Sequence, residues 1–176
     1  MDRRQRRSRE AIFGAFSSLL ERKRYDHITV QEIIDAADVG RSTFYAHFDT
    51  KDALLRAMCS GIFDHIFEGN LCEYTEHGSD LEAKLAHVLW HLRSSHANVR
   101  SILMSDSSEL FMGYFREQLK AMFQLYVHEF EWQVPREYLL MHLVGSFTET
   151  VRWWLREGMQ TQPETVARYF MTTMGR

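Results

Sequence analysis

The chain has 176 residues, 45% hydrophobic and 26% charged, with only 2 Pro and 9 Gly, which excludes disordered, collagenous and low-complexity classes and leaves enough length to bury a core. Its two cysteines, Cys59 and Cys72, are too few for a disulfide framework and lack the CxxC spacing of a structural zinc site, so a reducing, cytoplasmic setting is expected. The net charge of −3 is unevenly placed: residues 1–24 hold eight Lys/Arg against Asp2, Glu10 and Glu21, a local +5 that leaves −8 for the rest, the layout of a chain whose one end meets a polyanion.

Apolar residues recur at helical spacing almost throughout, with no sustained alternation and no Asn-Gly hairpin turn, so the expected fold is all-α, with about nine helices. The first helix is expected from about Arg6 to Lys23, with Ile12, Phe16, Leu19 and Leu20 on one stripe and arginines in its first turns. Its basic start resembles a signal peptide only superficially. Glu10 interrupts the junction, and Glu21-Arg22-Lys23-Arg24 stands where a small-residue cleavage site belongs. No apolar run approaches the roughly 18 to 20 residues of a membrane span, so no membrane partner is expected.

Thr29-Val30-Gln31-Glu32 has the form of a capping box and opens a short helix burying Val30, Ile33, Ile34 and Ala37. Asp38-Val39-Gly40 supplies a turn, and Arg41 to His47 forms a second short helix whose Phe44, with Phe48, points inward. Two short helices joined by a tight turn make a helix-turn-helix. Thr50 is the expected N-cap of a long helix to about Asn70, apolar on two faces, which connects the domain of residues 1–50 to a helical bundle of residues 51–176. Ser79 to Glu82 is a second capping box, opening a helix with Leu81, Leu85, Val88, Leu89 and Leu92 inward. Further helices are expected at about 99–104, from Ser108 to Trp132, from Pro135, a first-turn residue, to Gly158, and after a third capping box at Thr161-Gln162-Pro163-Glu164.

A recognition helix must anchor one face in a core and turn donors toward base edges and phosphates. Here Phe44 and Phe48 anchor. Arg41 and Ser42 occupy the first turn, and an arginine there can grip guanine O6 and N7 bidentately, which makes Arg41 the expected base reader. Thr43, Tyr45 and His47 carry donors suited to phosphate oxygens, and Lys51 adds a charge at the start of the next helix.

The stretch from Ile28 to Leu55, with its turn, its aromatic-rich Thr43-Phe44-Tyr45-Ala46-His47-Phe48 and its Lys51, closely resembles the DNA-binding signature of TetR-family transcriptional regulators, and the basic first helix fits the same family. Trp153-Trp154-Leu155 with Gly158, then Pro163-Glu164 and Phe170, resembles the C-terminal pattern of a subgroup that includes dihydroxyacetone-kinase regulators. Gly40 and Ala46 depart from the larger residues the family often carries there. The resemblance implies DNA contacts at Arg4, Arg7, Thr29, Gly40, Arg41, Ser42, Thr43, Tyr45, His47 and Lys51. It implies a homodimeric repressor on a palindromic double-stranded operator, released by a small-molecule effector. The alternative is a DNA-binding regulator without a ligand, whose bundle only dimerises or binds a partner protein.

For the effector, the expected apolar lining is Phe63, Phe67, Trp90, Met104, Phe111, Phe115, Met122 and Phe147. The helix from Pro135 is apolar on more than one side, so Leu139, Leu143 and Trp154, with Phe170 of the last helix, are expected at the dimer interface. His87 and His91, at i and i+4 with His96 near, have the spacing of a chelating pair, but no carboxylate or thiol completes a set in the sequence, so neither metal nor cofactor is expected. No GxSxG, HExxH, Walker loop or GxGxxG is present, and no enzymatic activity is expected.

Overall fold

The computed structural model describes residues 3–68, 80–94, 96–103, 108–127 and 133–175. Among them it forms nine α-helices and one 3-10 turn: α1 (Arg3–Leu20), the turn Tyr25–His27, α2 (Val30–Ala37), α3 (Arg41–His47), α4 (Lys51–Glu68), α5 (Asp80–Ser94), α6 (His96–Leu103), α7 (Ser108–Tyr126), α8 (Arg136–Arg156) and α9 (Pro163–Thr173). The all-α expectation holds. No helix among the described residues is long and apolar enough to cross a membrane.

Two compact units result, each discontinuous in sequence: residues 1–59 with 95–111, and residues 60–94 with 112–176. In the first, Ile12, Phe16 and Leu20 of α1 are buried with Tyr25, Ile28, Ile33, Ile34, Phe44, Phe48, Leu54 and Leu55. Phe48 meets Phe13 edge-on at 5.5 Å and Phe16 meets Tyr25 at 6.1 Å, the arrangement in which aromatic quadrupoles attract. α2 starts as the capping box requires. Thr29 Oγ1 accepts from the Glu32 N–H at 3.2 Å and the Glu32 carboxylate accepts from the Thr29 N–H at 2.9 Å. The turn that follows bends at Asp38, whose φ of 50° places it in the left-handed region, where Asp is among the few residues accepted besides Gly. Gly40, expected to serve this bend, has an ordinary φ of −69° and is the N-cap of α3. Thr50 caps α4 as expected, its hydroxyl accepting from the Ala53 N–H at 3.0 Å.

In the second unit α5 packs along α9, and α8 packs against α9. Leu81, Leu85, Val88, Leu89 and Leu92 are buried on α5, as are Val166, Ala167 and Phe170 on α9. Phe147 of α8 sits 5.1 Å from Phe170 and 6.2 Å from Phe123 of α7. The third capping box does not form: α9 begins with Pro163 at its first position, its N-cap is Gln162, and no side chain caps it. Proline's fixed φ sets the helix start one residue later than the box spacing implies. Pro135 likewise is the N-cap of α8 rather than a residue of its first turn. The second capping box begins at Ser79, outside the described residues.

The expected dimer residues need correcting on position. Leu139, Leu143, Trp154 and Phe170 are all buried within the chain, and the Trp154 indole donates to the Thr161 carbonyl at 2.8 Å. At 100° per residue they fall on the inner face of α8 and α9, while Tyr138, Met141 and Trp153 of α8 and Tyr169 of α9 are the exposed large apolar residues.

Candidate nucleic-acid interface

α3 has one buried residue, Phe44, and around it the expected DNA-facing side chains separate into two sets. Arg41, Ser42 and Tyr45 are exposed, with Tyr45 44% accessible despite its ring. The Arg41 guanidinium lies 6.0 Å from the Tyr45 ring centre, which holds it over α3. Thr43 is half-buried beside them. A Cβ on Gly40 would meet nothing nearer than the Thr43 hydroxyl at 3.7 Å, so the fold does not require glycine there. Its absence of side chain leaves the start of α3 uncovered.

α1 contributes a row of cations. Arg3, Arg4, Arg6 and Arg7 are exposed, whereas Arg9 stacks over Phe13 at 5.1 Å and Phe48 at 6.0 Å and so belongs to the packing of this unit. Ser8, which sequence reasoning missed, is 2.7 Å from His47 Nε2 through its hydroxyl. That bond ties α1 to the end of α3 and fixes the imidazole that was expected to approach a phosphate. No spacing rule signals a contact across 39 residues.

Two expected phosphate ligands are engaged inside the protein. The Thr29 hydroxyl donates to Glu32 Oε2 at 3.1 Å, so its one proton is already given to the cap. Glu32 also accepts from Lys23, and that bond first, then the Thr29 N–H and hydroxyl, bring its carboxyl down from 4.5 to about 2. Lys51 donates from Nζ to the carbonyls of Tyr25 at 2.9 Å and Ile28 at 2.8 Å, with the ammonium 4.2 Å from the Tyr25 ring centre. Burial pulls this amine below its ordinary value, against the nearby charges of Asp52, Asp26 and Glu32. Two of its three donors hold the 3-10 turn to α4, and the Tyr25 hydroxyl donates to Asp52 at the same junction. Tyr25 is thus the second residue missed: nothing in its sequence setting distinguishes it from any aromatic near a helix end.

Of the expected effector lining, Phe111, Phe115, Met122 and Phe147 are buried and Trp90 is exposed. Phe63 and Phe67 lie on α4 with side chains outside the described residues, as does all of Met104. Among the described residues no group of three His, Cys, Asp or Glu converges.

The family model described as "Bacterial regulatory proteins, tetR family" matches residues 12–58, and the one described as "Transcriptional regulator C-terminal region" matches residues 79–176. The TetR transcriptional regulator from Streptococcus agalactiae 2603V is 32% identical, with a TM-score of 0.73 over 98% of this chain and 96% of that one. The dihydroxyacetone kinase operon activator DhaS shares the fold at 18% identity, with a TM-score of 0.67 over 95% of this chain and 93% of its own. An HTH-type transcriptional regulator of Bacillus subtilis (strain 168), YxbF, is 28% identical over 177 residues, which are 97% of this chain and 45% of that protein. The chain therefore spans less than half the length of this curated relative.

Proposed function

Because the chain belongs to the TetR family of bacterial transcriptional regulators, we propose that it is a homodimeric repressor that binds a palindromic DNA operator and leaves it when a small-molecule effector arrives. The observation that carries the reading is α3, where Phe44 is buried while Arg41, Ser42 and Tyr45 stand exposed. Arg41 reads a guanine edge, and Thr43, Tyr45 and the exposed Arg4 and Arg7 of α1 hold phosphates. Ser8 and Phe48 position the helix rather than touch DNA, and Lys51 acts chiefly by fixing the turn beneath it.

Dimerisation uses the outer side of α8, where Tyr138, Met141 and Trp153 are exposed on a helix whose other side is fully buried. Two-fold pairing sets the two recognition helices about one turn of DNA, roughly 34 to 36 Å, apart or a multiple of it. The close packing of Phe147 on Phe123 and Phe170 favours a second reading in which the bundle only dimerises or binds a partner protein. A thermal-shift screen for a stabilising small molecule that also releases operator DNA decides between the two.

The DNA reading is tested by selecting bound fragments from a random duplex library with the full chain, then titrating Arg41→Ala against single-base variants of the selected site. The expected result is an enriched palindrome and, for Arg41→Ala, a loss of discrimination of about 1–3 kcal/mol at one position per half-site. A uniform loss across all sequences removes the base-reading role, and the absence of any enriched sequence removes the operator.

A further inference from the structure

His87 and His91 stand one turn apart on α5, and their Nε2 atoms are 2.9 Å from each other, with ring centres 4.7 Å apart. Both line a pocket of about 190 Å³ between α5 and α9, together with Trp90, Ser94 and Glu164. Rings at this spacing on a helix surface are free to diverge into solvent, but these two converge on one point. Without a cation, such a contact is a single hydrogen bond between a donor and an acceptor nitrogen. With one, the donor ring carries its proton on Nδ1 instead, and both Nε2 lone pairs serve the same ion.

The separation fits some coordination spheres better than others. At metal–nitrogen bonds of about 2.0–2.1 Å, two nitrogens 2.9 Å apart subtend an angle of about 90° at the metal. A tetrahedral site, the preference of structural zinc, needs the nitrogens about 3.3 Å apart. Right-angled nitrogen pairs belong to square-planar and octahedral spheres, the geometries of Cu(II) and Ni(II) in nitrogen and oxygen surroundings.

We propose that His87 and His91 form a binding site for a divalent transition-metal ion, Ni(II) or Cu(II), held through both Nε2 atoms as a cis pair. Among the described residues no third protein ligand completes a cage. The Glu164 carboxylate is fixed in the same pocket by the Trp90 indole, which donates to its Oε1 at 2.9 Å. Its negative charge offsets that of the dication. Glu164 belongs to α9 and both histidines to α5, so the ion strengthens the packing of these two helices. This site does not depend on the DNA-binding reading, and its test contains no DNA.

The full chain, freed of metal with a chelator, is titrated with Ni(II) alone by isothermal calorimetry beside His87→Gln, His91→Gln and the double variant. One ion per chain is expected, with each single variant weaker by roughly tenfold or more and the double variant not binding at that stoichiometry. No binding by the unmodified chain, or the same affinity in the double variant, overturns the site. Cu(II) electron paramagnetic resonance on the unmodified chain removes any dependence on how the variants fold. Splitting by two equatorial imidazole nitrogens supports the pair, and splitting by one or none overturns it.

Discussion

α3 buries one residue of seven, whereas α8 buries eight of twenty-one, from Leu139 to Trp154, and the two helices disclose function in opposite ways. On α3 what matters for DNA is whatever the core does not use: a polar side chain at a set offset from Phe44 is available because nothing inside the protein claims it. On α8 the proposed second copy is met by apolar residues, and apolar residues are also what the core consumes. Counting them therefore says little until it is known which face is already covered.

The largest effect that separates these cases is on α8 itself. Trp154→Glu places an unpaired carboxylate in a fully buried site and orphans the Thr161 carbonyl that the indole satisfies, so it is expected to cost upward of about 4 kcal/mol and to lower Tm steeply. Met141→Glu, at a residue 64% exposed, is expected to leave the fold within about 0.5 kcal/mol and to convert dimers to monomers. Circular dichroism melting and sedimentation equilibrium on both variants read the two quantities separately. A folded, monomeric Trp154→Glu, or a dimeric Met141→Glu, would exchange the roles assigned to the two faces.

How much of this was legible in the sequence follows the same division. The helices of the N-terminal unit, its Thr29 and Thr50 caps and its Phe44 and Phe48 anchors could be read from spacing, because capping and amphipathicity are local. The bonds from Ser8 to His47 and from Lys51 to the Tyr25 and Ile28 carbonyls could not, because they join residues 39, 26 and 23 apart, and only tertiary packing sets such distances. On α8 the apolar composition was evident, yet Trp154 and Trp153 are neighbours in sequence and opposite in burial. An all-round apolar pattern does not reveal the phase of its inner face. The His87/His91 spacing was visible, but the convergence of the two rings was not.

Lys51 tests the boundary between fold and interface within the N-terminal unit. A phosphate ligand would lower the salt dependence of DNA binding by about one when removed. Lys51→Met instead takes away two hydrogen bonds from a charged donor to the turn at Tyr25–His27, and a loss of about 1–3 kcal/mol in urea unfolding is expected. The change in salt slope should stay below about one, because only one of the three ammonium donors remains for a phosphate. Unchanged stability together with a full unit of slope would return Lys51 to the interface.

The smallest effect concerns Glu32 and the Thr29 cap, whose hydroxyl donates to the Glu32 carboxylate. Glu32 has its carboxyl lowered to about 2, by the bond from Lys23 and then by those from Thr29. A depressed carboxyl stabilises the folded chain fully above its unfolded value near 4.5, and that contribution disappears as pH falls through the folded value of about 2. The solvent-accessible position of this carboxylate, whose side chain is 35% exposed, keeps the gain small and opens it to salt. Unfolding free energy measured between these limits should therefore fall more steeply for the unmodified chain than for Glu32→Gln. Adding about 1 M salt, where the Debye length is near 3 Å, should bring the curves closer, since the Lys23 part of the shift is screened while the Thr29 cap bonds are not. Parallel curves at low salt would mean that the cap and its ion pair contribute nothing to stability, leaving the Thr29 hydroxyl available to a DNA phosphate after all.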